Sequence, residues 1–157
     1  MSFHPCKLLF SVLFSLTIGC AWNVLPVSAE DGAIIEAQKI FKQFVDLERA
    51  YDSSQAELFA PTATIRDTRV YQDGQSKTLS WTGDNYKQII KAQLPVAKAR
   101  GEQIQYSQVA YAREGNNVRV KCIRYNALRK FSSPLELLIA PNGKGWKIVE
   151  ESLQSQP

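Results

Sequence analysis

Histidine is almost missing from this chain: His4 is the only one in 157 residues, beside three cysteines and a single methionine. The rest of the scarce chemistry is concentrated near the start. Residues 1–29 carry one charge, Lys7, around the apolar run Leu8 to Trp22, and they end in the small residues Val27-Ser28-Ala29 just before Glu30-Asp31. That pattern predicts a cleaved signal peptide over 1–29 and a single domain over 30–157, acting in the periplasm or outside the cell. Two other readings stay open. Leu8 to Ala29 has no charge, although Asn23 and Pro26 shorten it as an anchor, so stable membrane insertion is not expected. Leu16-Thr-Ile-Gly-Cys20 resembles a lipidation site, with Thr17 where a Leu is usual.

Without the leader, His4, Cys6 and Cys20 are lost and Cys122 is the one remaining thiol. A histidine-free domain excludes Ser-His-Asp and Cys-His mechanisms within one chain and the usual histidine zinc sites. One cysteine excludes an internal disulfide, and the alternation Val118, Val120, Cys122 reads as a buried strand face. Asn-X-Ser/Thr sequons, phosphate-cradling glycine loops and paired metal carboxylates are also missing, so no metal or cofactor is expected. The formal charge of +4 is mild and both signs are interspersed. Arg119, Lys121, Arg129 and Lys130 cluster near one strand without a stacking aromatic motif, and no nucleic-acid partner is expected.

What is present is secondary-structure patterning. Ile34, Ala37, Ile40, Phe41, Phe44, Leu47 and Tyr51 recur at three and four, predicting an amphipathic helix capped by Asp31. Ser54-Gln-Ala-Glu57 has capping-box spacing for a short second helix that ends before Pro61. Thr62 to Tyr71 and Ser76 to Trp81 flank Asp73-Gly74 as a hairpin, placed at a sheet edge by its charges. Thr82-Gly-Asp84 opens a second long helix that Pro95 should kink or split and Gly101 should stop. Four strand patterns follow by meander: Gln103 to Arg113, Val118 to about Arg129, Leu135 to Ala140, and Trp146 to Leu153.

The long first helix, the short helix before Phe59-Ala-Pro-Thr-Ala, the hairpin ending at Trp81, the helix Asp84 to Arg100 and the closing Arg124-Tyr125...Gly145-Trp146-Lys-Ile148-Val-Glu150 resemble the nuclear transport factor 2-like (SnoaL-like) superfamily. The resemblance implies an α+β cone: a strongly curved antiparallel sheet wrapped around the long N-terminal helix, with a second long helix and one short one. It implies a pocket opening at one end, and dimers through the sheet. It also implies a range of activities, isomerases, dehydratases and epoxide hydrolases among them, many of which place an Asp, His or Tyr in the pocket; this sequence has no histidine to place.

The pocket candidates are Tyr51, Asp67, Trp81, Tyr86, Tyr106, Arg124 and Glu150. Strand parity puts Arg124 in line with Cys122, and Glu150 in line with Ile148, which predicts that the two charges pair at the mouth. Arg124 could otherwise meet an anionic ligand, and the tyrosines would offer hydroxyls to an apolar one. Asp67, flanked by Arg66 and Arg69, is the carboxylate to consider for proton transfer, and those neighbours argue for its staying ionised. Three functions follow: a non-catalytic domain binding a small molecule or a protein, a lyase or isomerase using a carboxylate and tyrosines, and an accessory domain using its outer sheet at Ile123, Leu138 and Val149.

Overall fold

The computed structural model describes residues 29–156. Residues 1–28, with nearly all of the expected leader and Cys20, lie outside them. Helix α1 (Ala29–Ala50) buries Ala33, Ala37, Phe41, Phe44 and Val45, the stripe that its three-and-four spacing dictates. It begins before Asp31, which is therefore inside the helix and not its cap. Tyr51 follows with a positive φ of 55°, which ends the helix. The next turn, Ser53–Leu58, is a 3-10 helix capped by Asp52, whose carboxylate accepts from the Ser54 amide. Asp52 thus takes the capping place expected of Ser54.

Strand β1 (Phe59–Val70) starts before Pro61, not after it, and β2 (Ser76–Thr82) returns from a turn at Gly74. Helix α2 (Gly83–Arg100) runs unbroken through Pro95, and Gly101 stops it at φ +66°. Pro95 is exposed, so its ring projects outward. It removes one backbone donor to the Lys91 carbonyl without splitting the helix, so of the expected kink or split the split does not occur. Strands β3 (Ile104–Glu114), β4 (Asn117–Asn126), β5 (Phe131–Asn142) and β6 (Gly145–Ser155) form the meander.

The six strands make one sheet in the order β2-β1-β6-β5-β4-β3, open at both edges. Every pairing is antiparallel except β1 with β6, so the sheet is mixed where a purely antiparallel one was expected. Only β2 is an edge strand of the hairpin, because β6 covers the other side of β1. The two helices pack on one face, over a core that includes Phe59, Ile65, Val118, Val120, Leu135, Leu137, Ile139 and Ile148.

Two bulges re-aim side chains. In β3, Ser107 pairs with Ile123 and Ala110 with Lys121, so Gln108 and Val109 together face Cys122; Gln108 takes φ 54°. In β6, Ile139 pairs with Ile148 but Leu138 pairs with Glu150, which leaves Val149 as an extra residue. Past that point the alternation is inverted. Glu151 and Leu153 now point inward with Ile148, and Glu150 points out. Leu138 is buried and Val149 half-buried, so the outer face presents less apolar surface than parity suggested.

Candidate functional site

Beneath α2, the inner sheet face carries three rows of side chains fixed by strand register. The deepest, Ile65, Glu151, Leu137 and Val120, is apolar apart from one carboxyl. The next row is Asp67, Leu153, Leu135 and Cys122. The third row has Arg69 and Ser155 on one side, with Ser133, Arg124 and Tyr106 on the other. Between these rows and α2 is an open cavity of about 1140 Å³. Trp81, Ile89, Leu94, Phe131 and Leu153 supply apolar wall, and Glu48, Arg49, Asp67, Arg69, Glu102, Arg124 and Arg129 supply charge. A small recess of about 50 Å³ shares Glu48, Tyr86 and Arg124 with the cavity and has Glu151 among its walls.

Glu48 reaches this site because it follows Phe41 by seven and Phe44 by four, on the buried stripe of α1. Arg124 donates from Nη2 to its Oε1 at 3.2 Å, and the Tyr106 hydroxyl donates to its Oε2. Burial works against the Arg124 charge, but Glu48 and Tyr106 outweigh it and its pKa is raised. Burial, with the charge of Glu48, also pushes the Tyr106 hydroxyl well above the usual phenol range.

Glu151 is 3% exposed and accepts from the Tyr86 hydroxyl at 2.9 Å. Burial raises its pKa to about 7, the Tyr86 hydrogen bond and Arg124 restraining the rise while Glu48 and Asp67 add to it. Tyr86 is raised well above the phenol range, first by burial and then by Glu151. Its ring stacks on Trp81, centroids 6.1 Å apart, and meets Phe59 edge-on at 5.2 Å.

Asp67 lies on the cavity wall, 9% exposed, accepting from Ser155 Oγ at 2.9 Å with Arg69 Nε at 3.6 Å. Three buried polar atoms have no hydrogen-bond partner among the described residues: Asp67 Oδ1, Ser133 Oγ and Glu151 Oε2. Among those residues no group of three His, Cys, Asp or Glu side chains is placed to hold a metal ion, and no helix is long and apolar enough to cross a membrane.

Six of the seven expected pocket residues, Tyr51, Asp67, Trp81, Tyr86, Arg124 and Tyr106, stand on or beside the cavity wall. Tyr51 closes the rim by donating to the Glu102 carbonyl. Glu150 is the exception, because the bulge turns it outward to Arg119 at 3.4 Å, and Arg119 also grips Glu114 at 2.6 Å. The expected Arg124–Glu150 pair is thus replaced by Arg124–Glu48. The residues that sequence reasoning missed are Glu48 and Glu151. The helical spacing gave a signal for the first. For the second, the switch of apolar parity between Ile148 and Leu153 marks a bulge. Lys121 of the basic cluster pairs with Glu136 at 3.1 Å, so the outer face is internally neutralised around it.

No protein-family model matches the sequence, and no curated protein matches it either. Solved structures do match in shape. A nuclear transport factor 2-like protein of unknown function from Pseudomonas putida superposes with a TM-score of 0.61 at 10% identity, over 79% of this chain and 87% of that one. A protein of unknown function with a cystatin-like fold from Nostoc punctiforme gives 0.58 at 14% identity, over 83% and 95%. A proposed dehydratase of the nuclear transport factor 2-like family from Streptomyces avermitilis gives 0.60 at 13% identity, over 80% and 96%. At such identities the likeness speaks for architecture alone, and together with the strand order it shows that the chain has the nuclear transport factor 2-like fold.

Proposed function

We propose that this domain binds a small amphipathic molecule in the cone. The cavity carries the reading: about 1140 Å³ and open to solvent, with an apolar wall and hydrogen-bonding groups at the recess it adjoins. That is the composition of a small-molecule site, where apolar area supplies affinity and a few fixed polar groups supply orientation. The leader reading would place this binding in the periplasm or outside the cell, and the outer sheet face is the surface for a second copy. Native mass spectrometry of protein from a secreting host, with gentle activation, tests the proposal. A released small molecule is the expected result. A domain that is empty as isolated and captures nothing from an extract of its host removes the binding role.

A second reading is favoured by one observation. Glu151, with its pKa near 7 and Tyr86 at 2.9 Å, has what a proton-transfer catalyst needs, a carboxyl that is half ionised at neutral pH beside a neutral phenol. Asp67, the other carboxylate considered for this role, is held by Ser155 and Arg69. A lyase or isomerase of this kind would exchange deuterium into the carbon acid it binds. Loss of that exchange in Glu151→Gln supports it, and exchange that survives the substitution eliminates Glu151 as the base.

A further inference from the structure

We infer that the molecule held in the cone carries a cationic amine, and that its ammonium group enters the recess beside Glu151. The inference rests on the small-molecule reading above and narrows it to a chemical class.

The recess has more carboxylate than cation: Glu48 from α1 and Glu151 from β6 line it, against Arg124 from β4. Asp67 and Arg69 from β1 stand outside it on the wall of the wider cavity, which Arg49, Glu102 and Arg129 also line. The remaining titratable groups around the recess are Tyr86 from α2, Tyr106 from β3 and Cys122 from β4, all of them neutral: burial pushes both phenols and the Cys122 thiol up, the thiol to about 11. Strand β5 contributes Leu135 and Leu137. The one guanidinium of the recess is already engaged by Glu48 at 3.2 Å, which leaves an anionic head group without a free cation there.

The unpartnered atoms point the same way. Asp67 Oδ1 and Glu151 Oε2 are buried acceptors lacking a donor. A buried carboxylate oxygen without a donor is costly, and an ammonium group brings both the donors and the opposite charge. The recess, about 50 Å³, suits an ammonium with one or two methylenes; the cavity beyond it takes a much larger apolar body. Three carboxylates converging on one point would favour a metal ion instead, and that arrangement does not occur among the described residues.

The test uses three probes that share one tail: octylamine, octanoate and octanol, titrated calorimetrically into the whole domain at pH 8 and pH 6. Octylamine stays charged at both. It should bind at least about tenfold tighter than octanol at pH 8, the step that one favourable ion pair produces. Affinity should fall about tenfold at pH 6, because Glu151 must first lose its proton. Repeating the pH 6 titration in buffers of different ionisation heat should show nearly one proton released, and none at pH 8. Glu151→Gln should bring octylamine to the level of octanol and abolish proton release. Octanoate or octanol binding as well as octylamine would overturn the inference and leave the pocket reading standing; binding by none of the three would remove both. Should Glu151→Gln not fold, Asp67→Asn and the wild-type proton count decide: an amine affinity equal at the two pH values sinks the proposal.

Discussion

At the scale of single residues, the site is governed by what burial does to charge. Glu151 has a folded-state pKa near 7 against an ordinary value of 4.5, so the native chain holds a proton that the unfolded chain releases over that interval. The sign follows: this group's favourable contribution is present below pH 4.5 and lost as pH rises through 7. Against Glu151→Gln, the wild type should lose about 3 kcal/mol of stability between those limits. Urea midpoints of both proteins measured from pH 4 to 8 would show the two curves diverging; parallel curves would mean that Glu151 ionises normally. The Arg124–Glu48 pair obeys a different rule, since removing one partner strands the other charge. Arg124→Met should cost about 3 kcal/mol, and adding Glu48→Met should recover most of it. A double-mutant cycle in urea reads this directly, and additive losses would mean that the two groups do not interact. The pairing of Arg124 with Glu48 was not legible from strand alternation. Glu150 looked inward because the alternation from Trp146 was extended past a bulge, and Glu48 lies on a helix, about which strand parity says nothing.

At the scale of elements, the sequence spoke most clearly where a period was long and uninterrupted. Both long helices, the Asp73-Gly74 hairpin and the β4-β5-β6 meander are where the spacing of Phe41, Phe44, Val118, Val120, Leu135 and Leu137 puts them. What it could not supply was neighbours across the sheet. The parallel contact of β1 with β6 joins segments far apart in the chain, and its irregular register between Phe59 and Thr64 has no local pattern. The junction between β2 and α2 shows how tightly such contacts can be set. A Cβ at Gly83 would sit 1.9 Å from the Ala60 carbonyl oxygen, so α2 starts where only glycine lets two backbones touch. Gly83→Ala should therefore lower stability by about 3 kcal/mol although alanine is the better helix former. Thermal melting would settle the matter, and a melting point at or above that of the wild type would show that α2 can shift away at no cost.

At the scale of the whole molecule, the last strand holds the sheet together. β6 lies between β1 and β5, and Arg66, Asp67, Thr68 and Arg69 find their parallel partners at Ser152, Leu153, Gln154 and Ser155. Ending the chain after Glu151 would remove those partners and the half-buried Leu153. A loss of at least about 2 kcal/mol is expected from the leucine alone. Circular dichroism with urea should show a weakened or absent cooperative transition, whereas an unchanged midpoint would mean that β6 beyond Glu151 is dispensable. The same strand order has a consequence for how the chain is made. Synthesis delivers it from the front, so the hairpin emerges early and the strand that completes its open side emerges after the other five. Until then β1 offers a full row of backbone donors and acceptors to any other chain nearby. The domain therefore cannot fold piecemeal as it is made: β6 acts as the latch, and whatever shields the nascent chain has to hold the hairpin until that strand arrives.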